Sequence, residues 1–400
     1  MPTSLRRVLI VSLSIICFVA VCRLAWVYYD ALRVRRTGAA REAERRSKDG
    51  SIVKGLLNRP GAPPPMRDGQ FPCVFVTVAD SGAPPQLGKC AVPTEHSGAV
   101  DRFEVDLRYG NFVARQTDLY LKDVFDVPLT RTYNSGDWIH PNRTHAFGNN
   151  TNHPFDISPL GTRNPYTYQL VVFEDGDYLF FDRVSEGTGF ADAVYQHTET
   201  STPFYKAVTK WNGNGWTTWL TDGTKIEFPE AYNSTNMAQG APTAIGDAQG
   251  NKLELVRDGQ RNLLEIRTPH GRTIKFKYDE RSRIVSAEDD HGQWARYQYN
   301  GGGMLTDVVF SSGHERHYTY DGHLMTSIED EKHNVLVRNV YRDTRLVQQD
   351  FGNGQIFSYH YSSASSGPYS DSAVVTMPNG EEAELETASS VPEFLKHPQN

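Results

Sequence analysis

The residues most able to do chemistry crowd into one stretch, DWIHPNRTHAFGNNTNHPFD, residues 137 to 156. His140, His145 and His153 stand there with Asp137 and Asp156, and imidazole nitrogens with carboxylate oxygens are a competent donor set for a zinc-like cation. Their spacing matches no motif with enforced geometry, such as two histidines one helical turn apart. The intervening Pro, Gly and Asn describe a long loop, so turn capping or solvation is the expected fate of these histidines and no metal ligand is assigned. A second candidate is Trp211, Trp216 and Trp219, which could offer ring faces to a sugar. The competing expectation is that they alternate across a hairpin and at least one seals a core. No serine nucleophile elbow, His-Glu-x-x-His pair or phosphate-cradling glycine loop occurs, so no catalytic residue and no cofactor is assigned either. Asn142, Asn149 and Asn233 head Asn-x-Ser/Thr triplets, a number expected by chance in a chain this rich in Asn and Thr.

The elements that would position such groups are legible from a repeat. Tyr278, Tyr299, Tyr320 and Tyr341 follow one another at 21 residues, and Tyr361 comes after 20. Gly271, Gly292, Gly313 and Gly354 each precede their tyrosine by seven residues; Asn334 takes that place before Tyr341, and Gly250 precedes Arg257-Asp258 likewise. The third, fifth and seventh positions after the glycine share one face of a strand: Ile274/Phe276/Tyr278, Ala295/Tyr297/Tyr299, Arg316/Tyr318/Tyr320, Val337/Asn339/Tyr341 and Phe357/Tyr359/Tyr361. Polar residues such as Lys275, Lys277, Arg296, Gln298 and Thr319 fall between them, the pattern of a half-buried strand. Turn formers follow each tyrosine (Asp279, Asn300 to Gly303, Asp321-Gly322, Asp343), and a second strand opens with Ile284, Leu305, Leu324 or Leu346. A hairpin of this size is not stable alone, so neighbouring units must supply its core. The same logic assigns the tyrosines to packing: a catalytic group is needed once, a core group in every unit. His270, His291 and His333, just before the unit-start position, read as a loop preference.

This pattern resembles the YD repeat of RHS-type (rearrangement-hotspot) proteins. Residues 105 to 135, with the core PLTRTYNS at Pro128 to Ser135, are similar to the domain of unknown function that precedes RHS repeats. The resemblance spans roughly residues 100 to 362 and implies an array of hairpins spiralling into a hollow β-shell, which in many members encloses a C-terminal toxin domain and in animal relatives serves cell adhesion. Here about six units are present, the Asp-Pro-x-Gly type motif that ends a complete repeat core is missing, and no toxin-like segment follows Tyr361. The expected fold is therefore all-β: antiparallel 21-residue hairpin repeats stacked into an open curved sheet or partial shell, with an N-terminal transmembrane helix.

The chain divides, on these grounds, into an anchor or signal segment (1–30), a charged stalk and Pro/Gly linker (31–70), a small Cys-containing segment (71–100), a β-rich pre-repeat domain (101–245), the repeats (246–365), and a final strand around Ala373 to Met377 with a polar tail that should fray (366–400). Within the pre-repeat domain, hairpin turns are expected at Asp175-Gly176, Asn214-Gly215 and Asp222-Gly223. Val8 to Tyr29 is long enough to cross a bilayer, with Arg23 reaching the interface and Trp26, Tyr28 and Tyr29 as an aromatic belt. A basic start and apolar centre also fit a cleaved signal peptide. Seven Lys/Arg between Arg33 and Lys48 would hold the body inside by the positive-inside rule, whereas the family resemblance and the β-body favour the outer face, which is the expectation adopted. Cys73 and Cys90 would form a disulfide after export or remain free buried thiols.

Residues 1 to 50 hold ten Lys/Arg against four Asp/Glu, and the rest holds 31 against 44, so the body carries the chain's net −7 and more. Such a body argues against nucleic acid as a partner. The sequence thus points to a non-enzymatic, envelope-anchored repeat protein that meets the membrane through its N-terminal segment and a protein or glycan through its sheet and loops. The alternative is a truncated or split part of an RHS-type toxin-delivery shell whose cargo is encoded elsewhere.

Overall fold

The computed structural model describes residues 104–136, 145–198, 203–231, 237–352, 354–362, 370 and 372–386. The expected anchor, stalk, Cys73, Cys90, Asp137, His140, Asn142 and Asn233 lie outside these residues. No helix among the described residues is long and apolar enough to cross a membrane. The described chain is all-β apart from two short 3-10 turns.

Strands β1 (Val105–Asp106), β2 (Asn111–Lys122), β3 (Asp126–Asn134) and β4 (Thr151–Asn152) form a four-stranded antiparallel sheet. Every later strand, from β5 (Ser158–Gly161) to β25 (Glu382–Glu386), pairs antiparallel with its neighbours in sequence and so joins one long sheet. Among the described residues no ladder connects β25 back to β5, so the sheet is open. It passes without a break from the pre-repeat segment into the repeats through β12 (Ala244–Gly246) and β13 (Lys252–Arg257).

The repeat strands alternate as expected. In β15 (Thr273–Tyr278), β17 (Trp294–Tyr299), β19 (Glu315–Asp321), β21 (Val335–Arg342) and β23 (Ile356–Tyr361) the third and fifth positions after the turn residue are buried: Ile274/Phe276, Ala295/Tyr297, Arg316/Tyr318, Val337/Asn339 and Phe357/Tyr359. All of these except Arg316 and Asn339 belong to one core cluster that also takes Phe112, Leu121, Leu129, Tyr133 and Phe147 from the four-stranded segment. One sheet's inner face is therefore filled by the other sheet. Residues of mixed size and ring shape do this because neither layer can bury its apolar face alone.

Several local expectations need correction. Before Tyr341 the left-handed position is held by His333 (φ 61), not Asn334. The unit starts one residue early, and a register shift between Ile328 and Glu329, where β20 (Leu324–Asp330) meets β21, absorbs the extra residue. β20 opens with Leu324 as expected, but the residue that is buried and paired with Tyr320 is Met325, Leu324 being only half-buried. Finally, the tail contributes β25, which pairs with β24 (Ser372–Thr376) over five residues, so it does not fray from the end of the first strand. The hairpin turns at Gly176 and Gly223 fall where expected, each at positive φ. The turn expected at Asn214-Gly215 is centred one to two residues earlier, on Gly213 (φ 98), because Gly215 already pairs within β10 (Gly215–Trp219).

Candidate functional site

Four of the five repeat tyrosines sit directly after a bulge; Tyr361 pairs with Ala373 in unbroken register. The register shifts between Lys277 and Tyr278, Gln298 and Tyr299, Thr319 and Tyr320, and Val340 and Tyr341. A bulge re-aims the side chain and frees main-chain groups that must then find partners. The tyrosines supply them. Tyr278 Oη donates to the Leu263 carbonyl at 3.0 Å, Tyr299 to Ile284 at 2.5 Å and Tyr320 to Leu305 at 2.7 Å. Tyr341 donates to Met325 at 2.9 Å and Tyr361 to Leu346 at 2.8 Å. In the degenerate first unit Arg257 stands in the tyrosine's place, and its Nε donates to the Pro242 carbonyl at 3.1 Å. The acceptor lies 15 residues upstream in every unit but that of Tyr341, where the extra residue makes it 16.

The N–H groups of three of these acceptor residues, Ile284, Met325 and Leu346, are satisfied from the four-stranded segment. Ile284 N–H donates to the Ala146 carbonyl at 2.7 Å and Leu346 N–H to the Gly110 carbonyl at 2.7 Å. Met325 N–H donates to Tyr133 Oη at 2.9 Å, and that hydroxyl donates onward to the His323 carbonyl at 2.6 Å. Asn149 N–H meets the Gly303 carbonyl at 2.9 Å. A main-chain seam thus binds the two sheets together along the turns that follow the tyrosines.

Behind the seam lies the most concentrated polar group of the core. Asp118 on β2 accepts from Arg131 Nε at 2.5 Å and Nη2 at 2.9 Å, and from Tyr297 Oη at 2.8 Å. Arg131 Nη2 also donates to Tyr318 Oη at 3.1 Å. The Asp118 side chain is 0% exposed and that of Arg131 4%, so the pair is fully desolvated. Burial alone would lower the Arg131 pKa, but the Asp118 charge reverses this and holds it well above its ordinary value. Burial, with the Asp118 charge second, pushes the Tyr297 phenol well above its ordinary value. Burial raises Tyr278, Tyr299, Tyr320 and Tyr341 as well. These phenols are held neutral as donors, the opposite of what a tyrosine base or nucleophile needs.

The histidine loop is only partly brought together. His145 and His153 are buried, and Asp156 ends a 3-10 turn, Pro154–Asp156. Asp156 accepts from Arg257 Nη1 at 2.8 Å, with His153 Nε2 3.8 Å away from its other oxygen. The His153 ring is enclosed by Phe147, Phe155 and Phe276, and His145 Nδ1 lies 3.4 Å from Asn152 Nδ2. Among the described residues no group of three or more His, Cys, Asp or Glu is arranged to hold a metal ion. Asp156 serves as the counter-charge of a buried arginine.

Of the tryptophans, Trp216 is buried and donates from Nε1 to Glu230 at 3.0 Å. Trp211 packs edge-on against Trp216 at 5.3 Å and Phe190 at 4.9 Å, and Trp219, three residues along β10 and so on its opposite face, is half-buried and pairs with Val208. The three do not form a common platform. His270 binds Asp123 (Nδ1 to Oδ1 2.5 Å), His291 meets Arg272, and His333 stacks on His317 at 4.6 Å. Asp118 and Arg131 were not singled out by sequence. The signal available was a lone arginine in the apolar run VPLTRTY, every residue of which is buried.

Residues 104–181 match the family model described as a domain of unknown function, DUF6531. Its bounds include the segment whose PLTRTYNS core carries the resemblance. No curated protein matches the sequence. Among solved structures the chain is similar to TcdB2-TccC3-TEV, at 12% identity over 68% of this chain and 19% of that one, with a TM-score of 0.29. It is similar also to TcdB2-TccC3 without its hypervariable C-terminal region (12% identity, 68% of this chain, 15% of that one, TM-score 0.29). A third is the Photorhabdus luminescens Tc holotoxin pore (11% identity, 55% and 14%, TM-score 0.25). The chain spans about a fifth or less of the length of these three.

Proposed function

We propose that the protein is a non-catalytic structural or binding module of the YD-repeat, RHS-associated type, anchored in the cell envelope by its N-terminal segment, with its β-body on the outer side. The observation that carries the reading is that the recurring tyrosine hydroxyls each donate to a main-chain carbonyl one unit upstream. A group consumed by the backbone in every unit builds the array and is not available to a substrate. The carboxylates of the core support the same reading, since Asp118 and Asp156 are both committed to buried arginines. The body's partner is then a protein or a glycan met on its surface. Broad hydrolase screens and zymography of the purified chain test the non-enzyme half, and robust turnover would overturn it. Protease shaving of intact cells tests the location: the body is digested if it faces outward and protected if it does not.

The alternative is a segment of an RHS-type delivery shell whose cargo is encoded elsewhere. It draws on the two sheet edges, β5 and β25, which no described strand joins. Further repeat units and a terminal enzyme-like domain in the adjacent coding sequence would favour it over the free-standing module.

A further inference from the structure

The last strand of the long sheet has a bare edge among the described residues. On the β23 side of β24, Ser362 N–H donates to the Ser372 carbonyl at 2.9 Å; on the β25 side, Met377 N–H donates to the Glu381 carbonyl at 2.8 Å. In the β24–β25 register Val375 faces Ala383 and Ala373 faces Leu385, so antiparallel alternation sends the N–H and C=O of Glu382, Glu384 and Glu386 outward. No described strand pairs with them. The opposite end of the sheet is guarded. β5 carries Pro159, which has no N–H to offer. Gly240, closing the 3-10 turn Met237–Gly240, packs so near that a Cβ on it would stand 2.5 Å from Ser158 Oγ. An unpaired ladder is a template for one more strand.

We propose that residues 73–78 of this chain, CVFVTV, add to β25 as the next strand and close that edge. Their β-branched and aromatic residues suit a strand. Val74, Val76 and Val78 alternate, so one face can continue the apolar inner face that Ala373 and Val375 hold on β24. The segment is also within reach. The described chain begins at Glu104, and four residues on the Arg108 carbonyl accepts from Ser370 N–H at 2.9 Å, just before β24. Ser372 lies opposite Glu386, so at extended-chain spacing Glu104 stands within about 30 Å of the bare edge. The 25 residues from 79 to 103, as a flexible chain, span about 25–30 Å root mean square. Such a match of linker to gap favours intramolecular pairing most. Charge selects the occupant. A second β25 laid antiparallel would set glutamates against glutamates, whereas residues 69–79 hold no charged side chain. The inference goes beyond the reading above. Turnover in hydrolase assays would sink the non-catalytic reading and leave this strand untouched, and an occupied β25 denies a split shell the edge on which to add units.

Hydrogen-exchange mass spectrometry on the full-length chain in detergent reads the pairing. The outward amides of 382–386 and those of 73–78 should both be protected. Phe75→Pro combined with Val76→Pro removes a donor in either register of the added strand, and should speed exchange of the outward amides of 382–386 by roughly tenfold or more. Glu384→Pro is the reciprocal variant. Its N–H faces the edge, so the ladder to β24 is kept while exchange of 73–78 should rise by a similar factor. It decides the matter if the first variant does not fold. Outward amides unprotected in the wild type, either variant leaving the opposite segment unchanged, or protection that fades on dilution because a second copy supplies the strand, would overturn the proposal.

Discussion

Asp118→Ala isolates the polar joint between the two sheets. The substitution removes the acceptor of three hydrogen bonds, two from Arg131 and one from Tyr297, and leaves a guanidinium that is 4% exposed without its counter-charge. Breaking one partner of a buried ion pair costs about 3–5 kcal/mol. The chain is larger than the domains for which a kcal/mol shifts the midpoint by ~2–4 °C, so the lower figure applies and the expected fall is about 6–10 °C. The remaining Tyr318 contact at 3.1 Å and the three rings around the guanidinium do not replace the lost charge. Thermal unfolding followed by far-ultraviolet circular dichroism reads the shift. The double variant Asp118→Leu with Arg131→Met removes both charges and should recover most of it, because apolar replacement of a buried pair is often close to neutral. A midpoint within about 2 °C of wild type for Asp118→Ala, at the same conversion, would refute the claim that the joint is desolvated and shared by both sheets.

The seam itself gives a second prediction. A Cβ on Gly148 (φ +84) would stand 2.4 Å from the Gly303 carbonyl oxygen, whereas one on Gly271 (φ +86) would meet nothing within 4 Å. Both carry the left-handed penalty of about 1–2 kcal/mol for a side chain. Gly148→Ala should therefore lower the midpoint clearly more than Gly271→Ala; equal shifts would contradict the close approach. For the histidine loop, elemental analysis of the purified chain and of His145→Ala should show no bound metal that depends on this residue, since Asp156 is committed to Arg257. Stoichiometric zinc lost in the variant would restore the metal-site reading.

Much of the repeat was legible because its information is local. Ile274/Phe276, Ala295/Tyr297 and Phe357/Tyr359 alternate within single strands, and the glycine turns recur at fixed distance, so strand face and turn could be read without a partner. The illegible features are those set by residues far apart in sequence. Asp118 meets Tyr297 across 179 positions and Tyr133 meets Met325 across 192, and no periodicity announces either contact. The spacing from Gly250 places Arg257 at the tyrosine position of a degenerate unit; only geometry shows that its Nε takes over the phenol's role. The His333 and Met325 offsets escaped because a bulge changes the count without changing the residue types. In the histidine loop, sequence offered plausible ligands but could not foresee that Arg257, some hundred positions on, would claim Asp156.

The most direct test of the central claim, that the repeat phenols are buried donors to the main chain, is spectrophotometric titration of tyrosine ionisation at alkaline pH. Eight tyrosines, Tyr120, Tyr133, Tyr195, Tyr278, Tyr297, Tyr299, Tyr320 and Tyr341, are raised, in each case by burial first, Tyr195 to about 12. A folded-state pKa above the unfolded value of about 10 gives stability that is complete below that pH and lost as pH rises beyond it. The native chain should therefore show one set of phenols ionising near pH 10 and a second set silent until cooperative unfolding releases it, with the circular dichroism lost in the same step. If all 20 tyrosines of the chain ionise near pH 10 while the fold persists, the phenols face solvent and the account fails.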